Sequence, residues 1–265
     1  MTQANAKTIV GMIHVQALPG TPRYRGRLDS GLTQAALEAE LYTRAGFDAL
    51  LIENMHDVPY LCGSVGPEIV ASMTAAGLAV RRASPLPLGV QILAAANREA
   101  LAVALACGAA FVRVENFAYA HVADEGLMPT AEAGPLLRYR RQIGADPIAI
   151  FADVKKKHSS HALTADVPLA EAARTIEFFG ADGVVVTGTA TGEPAAVADV
   201  QEVRGAVRGR VCIGSGLTPD NLALYWPHAE VFIVGSCLKR DGLWSNPVEP
   251  ERVAKFMAAA LRLRG

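Results

Sequence analysis

The chain has 265 residues, 51% of them apolar and 19% charged, with a formal net charge of −1. That is ample material for a buried core, and the near-neutral balance argues against a nucleic-acid binder that works through overall positive charge, leaving only local patches for such a role. The four cysteines, Cys62, Cys107, Cys212 and Cys237, form no CxxC pair, which argues against a disulfide framework and for reduced thiols in the cytoplasm.

The first residues, up to Gly20, hold no long apolar stretch, so no signal peptide is expected. No run of about 18 apolar residues follows, so no membrane span is expected either. Flexible Gly/Ser linkers are absent, and residues 1–265 read as a single domain.

Apolar runs rich in Val, Ile and Leu recur along the chain. They fall at 8–15, 45–54, 87–97, 107–116, 146–158, 179–188, 210–221 and 227–236. Each ends in polar residues or glycine, as a buried strand leading into a loop does. Helical patterns alternate with them at 32–45, 67–82, 97–107, 131–143, 168–179, 194–207, 219–226 and 250–263. Helix starts are signalled by Ser30 or Thr33, by Thr130, by Asp166 with Pro168, and by Pro194. Helix ends are signalled by Gly46, Gly108 and Gly180, spaced by about 62 to 72 residues, which suggests a repeat of two units.

This alternation predicts an α/β fold, a (β/α)₈ TIM barrel of parallel strands covered by helices. A doubly wound open sheet is the structural alternative. In a barrel the loops after the last two strands often hold a phosphate. Here they carry Gly214-Ser215-Gly216 and Gly235-Ser236. Glycine lets backbone amides approach an anion, and a following helix N-terminus would add a favourable dipole. The plain alternative is that these glycines only permit tight turns.

Alternate strand residues share a face. That rule points His14, Glu53, Gln91, Arg113, Glu115, Asp153, Lys155 and Thr187 into the barrel mouth, with Asn54 beside Glu53. Barrel interiors are normally packed with branched apolar residues, and unpaired buried charge is costly. The set therefore reads either as a ligand site or as a self-satisfied network in which Arg113 pairs with Glu115 or Asp153. In the ligand reading Glu115 and Asp153 are the first choices for proton transfer and Glu53 follows. Lys155 is an electrophile, an acid or a Schiff-base amine. His14, Gln91, Arg113, Asn54 and Thr187 bind and orient.

Two long loops, 16–30 with Arg23, Arg25 and Arg27, and 155–168 with His158 and His161, read as basic lids or as mobile surface. Glu53, His56, Asp57, His14 and Asp153 could meet around an ion, but no tight ligand spacing occurs and no metal is assigned. A GxGxxG fingerprint is absent, and no cofactor is assigned. "GTATGEP" at 188–194 reads as a helix-capping turn.

Six blocks together resemble one known family: "IVGMIHVQALPGTP", "DALLIENMHDVPY", "FVRVENF", "FADVKKKHSSH", "GVVVTGTATGEP" and "IGSGLTPDN" with "VFIVGSCLKRDGLWSNPVEPERV". They are similar to the BtpA/SgcQ family from about residue 8 to residue 262. The resemblance implies a barrel of the ribulose-phosphate-binding type and, from the founding name, a link to photosystem I biogenesis. It implies no catalytic residue list. The leading functional expectation is an enzyme that binds a small phosphorylated metabolite, a sugar phosphate or a nucleotide-derived compound. Isomerase, lyase, aldolase and glycosidic-cleavage chemistry all fit carboxylate acid/base groups. The rival is a non-catalytic assembly factor that binds a protein or a membrane edge. A homo-oligomer is compatible with either.

Overall fold

The computed structural model describes residues 7–265; the first six, where part of the expectation about a leader falls, lie outside the described residues. The strands are β1 (Thr8–His14), β2 (Ala49–Glu53), β3 (Leu88–Gln91), β4 (Phe111–Val114), β5 (His121–Ala123), β6 (Gly126–Met128), β7 (Ala149–Asp153), β8 (Ser159–Ser160), β9 (Gly183–Val186), β10 (Arg210–Ile213) and β11 (Val231–Val234). The helices are α1 (Leu28–Ala45), α2 (Pro67–Ala83), α3 (Asn97–Cys107), α4 (Ala133–Gln142), α5 (Leu169–Phe178), α6 (Val197–Ala206), α7 (Leu222–Tyr225) and α8 (Pro250–Arg264). Eight strands close into one parallel barrel in the order β1-β11-β10-β9-β7-β4-β3-β2. The open doubly wound sheet is thereby excluded.

Helix ends fall at the predicted glycines. Gly46 and Gly108 take left-handed φ values of 88° and 69°, which only glycine adopts without a Cβ penalty. Some starts differ. Helix α1 begins at Leu28, and the hydroxyls of Ser30 and Thr33 return to the carbonyls of Arg27 and Asp29 inside its first turns. Helix α6 begins at Val197, beyond Pro194, and α7 has four residues rather than the eight of 219–226. Residues before α7 are instead tied locally: the Thr218 amide donates to Asn221 Oδ1 at 2.8 Å, and Asn221 Nδ2 donates to the Gly216 carbonyl at 2.8 Å.

The strand alternation divides the apolar residues into two sets. Ile9, Ile13, Leu50, Ile52, Val90, Val112, Ile150 and Val184 face the helices, in a core that also takes Tyr42, Met73, Leu101, Leu136 and Phe256. Val10, Met12, Ala49, Leu51, Phe151, Val185, Cys212, Val231 and Ile233 fill the barrel interior. The rings of Phe111 and Phe151 meet edge to face there, with centroids 5.6 Å apart. Each lies over an inward glycine: a Cβ on Gly89 would sit 2.1 Å from the Phe111 ring, and one on Gly183 would sit 2.6 Å from the Phe151 ring. Large and small residues thus interlock across neighbouring strands, as close-packed interiors require.

The loops after β4 and β7 carry a feature with no periodic sequence signal. Strands β5 and β6 form a hairpin, and β8 pairs antiparallel with β5, giving a small sheet above the barrel. Residues 155–168 are therefore partly anchored rather than a free lid. At the seam where the last unit meets the first, β11 pairs with β1, the Lys239 ammonium bonds buried Glu38 at 2.9 Å, and Lys7 Nζ bonds the Ala229 carbonyl at 2.7 Å.

Replacing Gly89 by Ala is expected to destabilise the fold by about 1–3 kcal/mol through overpacking against Phe111. Adding Phe111→Leu should restore most of the loss. Urea denaturation of the single and double variants checks this.

Candidate active site

Above the apolar barrel layers the same inward face turns polar. Strand register sets His14 of β1 opposite Glu53 of β2, and Glu53 opposite Gln91 of β3. Arg113 on β4, Glu115 just after it and Asp153 on β7 continue the ring, and Gly214 and Gly235 complete it after β10 and β11. The sequence-derived set is therefore largely brought together, but its members hold different partners.

Arg113 and Asp153 form a two-pronged ion pair, Nε to Oδ1 and Nη2 to Oδ2, both 2.8 Å, with side chains 2% and 0% exposed. Asp153 is thus not placed to carry protons for a ligand. Both its oxygens are occupied, and it fixes the guanidinium, whose pKa it helps raise against the opposing effect of burial. The self-satisfied pairing of Arg113 with Asp153 is what the structure shows. A third donor of Arg113, Nη1, reaches the Gly214 carbonyl at 3.3 Å. A Cβ on Gly214 would sit 2.9 Å from Arg113 Nη2, so this turn needs glycine.

Glu115 and Glu125, the latter at the β5–β6 turn, share the ammonium of buried Lys156 at 3.1 and 3.4 Å. Asn54 is also committed. Its Oδ1 accepts from the Leu93 amide at 2.7 Å, and its Nδ2 donates to Asp57, which in turn accepts from the Leu18 amide at 2.8 Å. Asn54 positions the loops after β1 and β3 and lines neither cavity of the mouth. Lys155 departs from the expectation too. Its backbone is left-handed, with φ 44°, and its ammonium bonds the Val167 carbonyl at 2.8 Å, away from the mouth. The period-2 alternation that pointed Lys155 inward stops at Asp153, where β7 ends.

Two cavities open at the mouth. One, of about 210 Å³, is lined by His14, Glu53, Arg113, Lys157, Arg252 and both glycine turns, Gly214-Ser215-Gly216 and Gly235-Ser236. The other, of about 490 Å³, is lined by Glu53, Gln91, Glu115, Lys156, Lys157, Tyr60 and Trp244. Glu53, Met55, Lys157 and Thr191 belong to both, so they form one continuous hollow. Among the described residues, no hydrogen bond uses the amides of Ser215, Gly216, Gly235 or Ser236, whereas Gly214 N donates to Val186 and Leu238 N to Gly235. The Ser215 hydroxyl bridges the Gly188 amide and the Glu193 carbonyl, so this residue offers its amide rather than its side chain. Helix α7 is too short and too far along the chain to contribute the expected dipole, which leaves the turn amides as the free donors there. Gly216 has φ 71°, and a Cβ there would sit 2.2 Å from the Glu193 carbonyl oxygen.

Burial raises the pKa of Glu53, opposed by Lys157 and then Arg113. Burial lowers the pKa of Lys157, reinforced by Arg113 and opposed by Glu53. Burial, then Lys239, holds His14 well below its usual value. Its Nδ1 lies 3.2 Å from the Trp244 carbonyl, which can only accept, so Nδ1 carries the proton. The bare Nε2 then faces Glu53 Oε2 at 3.7 Å. Gln91 Oε1 and Thr187 Oγ1 are buried without a partner. Among the described residues, no cluster of three or more His, Cys, Asp or Glu side chains is arranged to hold a metal ion.

Sequence reasoning missed Lys156, Lys157, Arg252, Glu125 and Trp244. The lysine run signalled the first two, but only the left-handed Lys155 decides which ammonium turns inward. The others sit on loops or on α8, with no strand period to place them.

Asp153→Asn should cost about 3–5 kcal/mol, because it strands a buried guanidinium. Arg113→Met with Asp153→Leu should recover most of that, as read by urea denaturation. Glu53→Gln should be stabilising by an amount that depends on pH. Well below pH 4.5 the glutamate is neutral folded and unfolded. As pH rises from there through the raised folded value, the unfolded state gives up the proton first, and the parent protein loses stability relative to the variant. Melting temperatures of both proteins from about pH 4, just below the range where proteins are usually most stable, to about pH 8 check the sign.

Comparison with known proteins places the chain. A family model described as the BtpA family matches residues 5–262. A mitochondrial protein of Caenorhabditis elegans is 47% identical over 254 residues, which cover 94% of this chain and 91% of that one. The photosystem I biogenesis protein BtpA of Synechocystis is 34% identical over 252 residues, covering 95% of this chain and 87% of its own. Among solved structures, (S)-3-O-geranylgeranylglyceryl phosphate synthase from Thermoplasma acidophilum, in complex with its substrate sn-glycerol-1-phosphate, superposes with a TM-score of 0.59. It covers 96% of this chain and 93% of its own at 14% identity, a likeness of fold. Among the described residues no helix is long and apolar enough to cross a membrane. With the match spanning nearly all of its length, this chain belongs to the BtpA family.

Proposed function

We propose that this protein is an enzyme acting on a small phosphorylated metabolite. The observation that carries the reading is the pair of glycine turns after β10 and β11, which line one cavity with Arg252 and Lys157 and leave four backbone amides unengaged by the protein. Unengaged amides beside the Arg252 guanidinium match what a phosphate dianion needs. The rest of the ligand extends into the larger cavity, where Tyr60 and Trp244 offer apolar surface and the unpartnered Gln91 Oε1 accepts a hydrogen bond.

Proton transfer falls to Glu53 and His14 rather than to Asp153. Glu53 is the carboxyl group common to both cavities, and burial keeps it close to a donating form. The bare Nε2 of His14 is the complementary acceptor. Glu115, engaged by Lys156, orients ligand groups in the larger cavity. The solved barrel whose complex holds sn-glycerol-1-phosphate supports the substrate class by analogy of fold. A reducing compartment such as the cytoplasm suits the four unpaired thiols, while the C. elegans relative is named as mitochondrial.

A second reading, an assembly factor, is favoured by the name of the Synechocystis relative and by the adjacent Phe178 and Phe179, which are 85% and 40% exposed. It differs in what it tolerates: a partner-binding role survives Glu53→Gln, and the enzymatic one does not.

Saturating inorganic phosphate, at about a hundred times its dissociation constant, should stabilise the protein by about 2.7 kcal/mol. A valine at inward-facing Gly235 would fill the anion cavity and should abolish the gain. Thermal melts of both proteins in phosphate and in chloride of equal ionic strength check this; equal melts in both salts would remove the reading.

A further inference from the structure

The lysines of this chain divide sharply by partner. Lys7, Lys155, Lys156 and Lys239 each bond a carbonyl or carboxylate oxygen. Lys255 is exposed on α8. Lys157 alone is half-buried in the mouth, and among the described residues no hydrogen bond or ion pair engages its ammonium, although it lines both cavities. A cationic lysine set there for structure would be expected to hold a carboxylate, as Lys156 holds Glu115 and Lys239 holds Glu38. The Arg113 guanidinium nearby is already neutralised by Asp153 and disfavours a second positive charge. An amine next to a fixed cation in a desolvated site is the arrangement that produces a nucleophilic lysine.

We propose that Lys157 forms a Schiff base with the carbonyl carbon of a phosphorylated aldehyde or ketone whose phosphate rests on the Gly214–Gly216 and Gly235–Ser236 turns. The inference rests on the phosphate reading above and narrows its substrate class to carbonyl compounds. Burial of the amine, which favours its neutral form, supplies the free lone pair.

The step balances with groups present at the mouth. The Lys157 lone pair makes the C–N bond while the carbonyl π pair moves to oxygen, which takes the proton of Glu53. The nitrogen then returns one proton to the Glu53 carboxylate, leaving a neutral carbinolamine. Glu53 protonates the hydroxyl, water departs, and the nitrogen lone pair closes the C=N bond. The products are a protonated imine, a Glu53 carboxylate and one water, with no oxidant or reductant required. The imine withdraws electrons from the adjacent carbon, so bond cleavage or proton removal at that carbon becomes accessible. His14 Nε2, beside Glu53, is positioned to accept such a proton.

Pyridoxal 5′-phosphate, a phosphorylated aldehyde, followed by borohydride reduction and peptide mass spectrometry, tests this on the full-length protein. The expected result is modification of Lys157 ahead of exposed Lys255 by about tenfold or more, since only the neutral amine attacks. Inorganic phosphate should protect Lys157, and pyridoxal lacking the phosphate should label it more slowly. Lys157→Arg should abolish that label while unfolding in urea as cooperatively as the parent, which shows that the variant is folded. Labelling of Lys255 or Lys7 at an equal or greater rate, in protein that phosphate still stabilises, would overturn the Schiff base and leave the phosphate site standing. Selective labelling of Lys157 that is insensitive to phosphate, with no phosphate effect on melting, would instead remove the phosphate site and retain the nucleophilic amine.

Discussion

Closure of eight parallel strands into a ring gives every strand residue one of two destinations, and the rest of the molecule follows from that division. Outward residues meet helices and are apolar throughout. Inward residues change character with height. They run from Val10, Ala49 and Phe151 in the interior to His14, Glu53, Gln91, Arg113 and Asp153 at the rim. Because the interior is filled by side chains, a ligand can enter only from the rim, and the rim is where hydrogen-bonding capacity has been concentrated. The two inward phenyl rings and their facing glycines act as the floor on which that layer stands.

Charge pairing then decides which rim groups remain free to react. An ion removed from water must find a partner, and most of those here have done so: Arg113 with Asp153, Lys156 with Glu115 and Glu125, Lys239 with Glu38. What is left over is Glu53 and Lys157, an acid pushed toward its neutral form and an amine pushed toward its neutral form, on the common wall of two cavities. The paired charges have a positioning role. They hold the walls and set the local field, and the residual pair is the one to which the proposed chemistry is assigned.

The barrel was legible from the sequence because its signals are periodic and repeat: apolar runs, helical spacing and glycine stops recur through the chain. The two glycine turns were legible because each directly follows one of the last two apolar runs, although close contacts at Gly214 and Gly216 call for glycine as well. The free side chains of the rim were less so. Strand alternation picked out Glu53, His14, Gln91 and Arg113, but it carried past the end of β7 and selected Lys155, where one left-handed residue reverses the outcome. Asp153 and Asn54 were correctly placed near the rim, yet placement says nothing about whether a side chain is already bonded. Arg252, Trp244 and the β5–β6–β8 sheet depend on contacts between distant loops and leave no local trace.

The seam between the last and first units has a further implication. Lys239 reaches Glu38 across 201 residues of sequence, and Lys7 reaches the Ala229 carbonyl across 222. The hollow draws one part of its wall from β1 and β2 and the adjoining part from the turns after β10 and β11, so it spans the seam. A nascent chain on the ribosome therefore has half a vessel and nothing to close it. Such long-range contacts are the slowest kind to form. The hollow itself is a property of the finished ring alone, so any occupant of it would report that the final unit has docked.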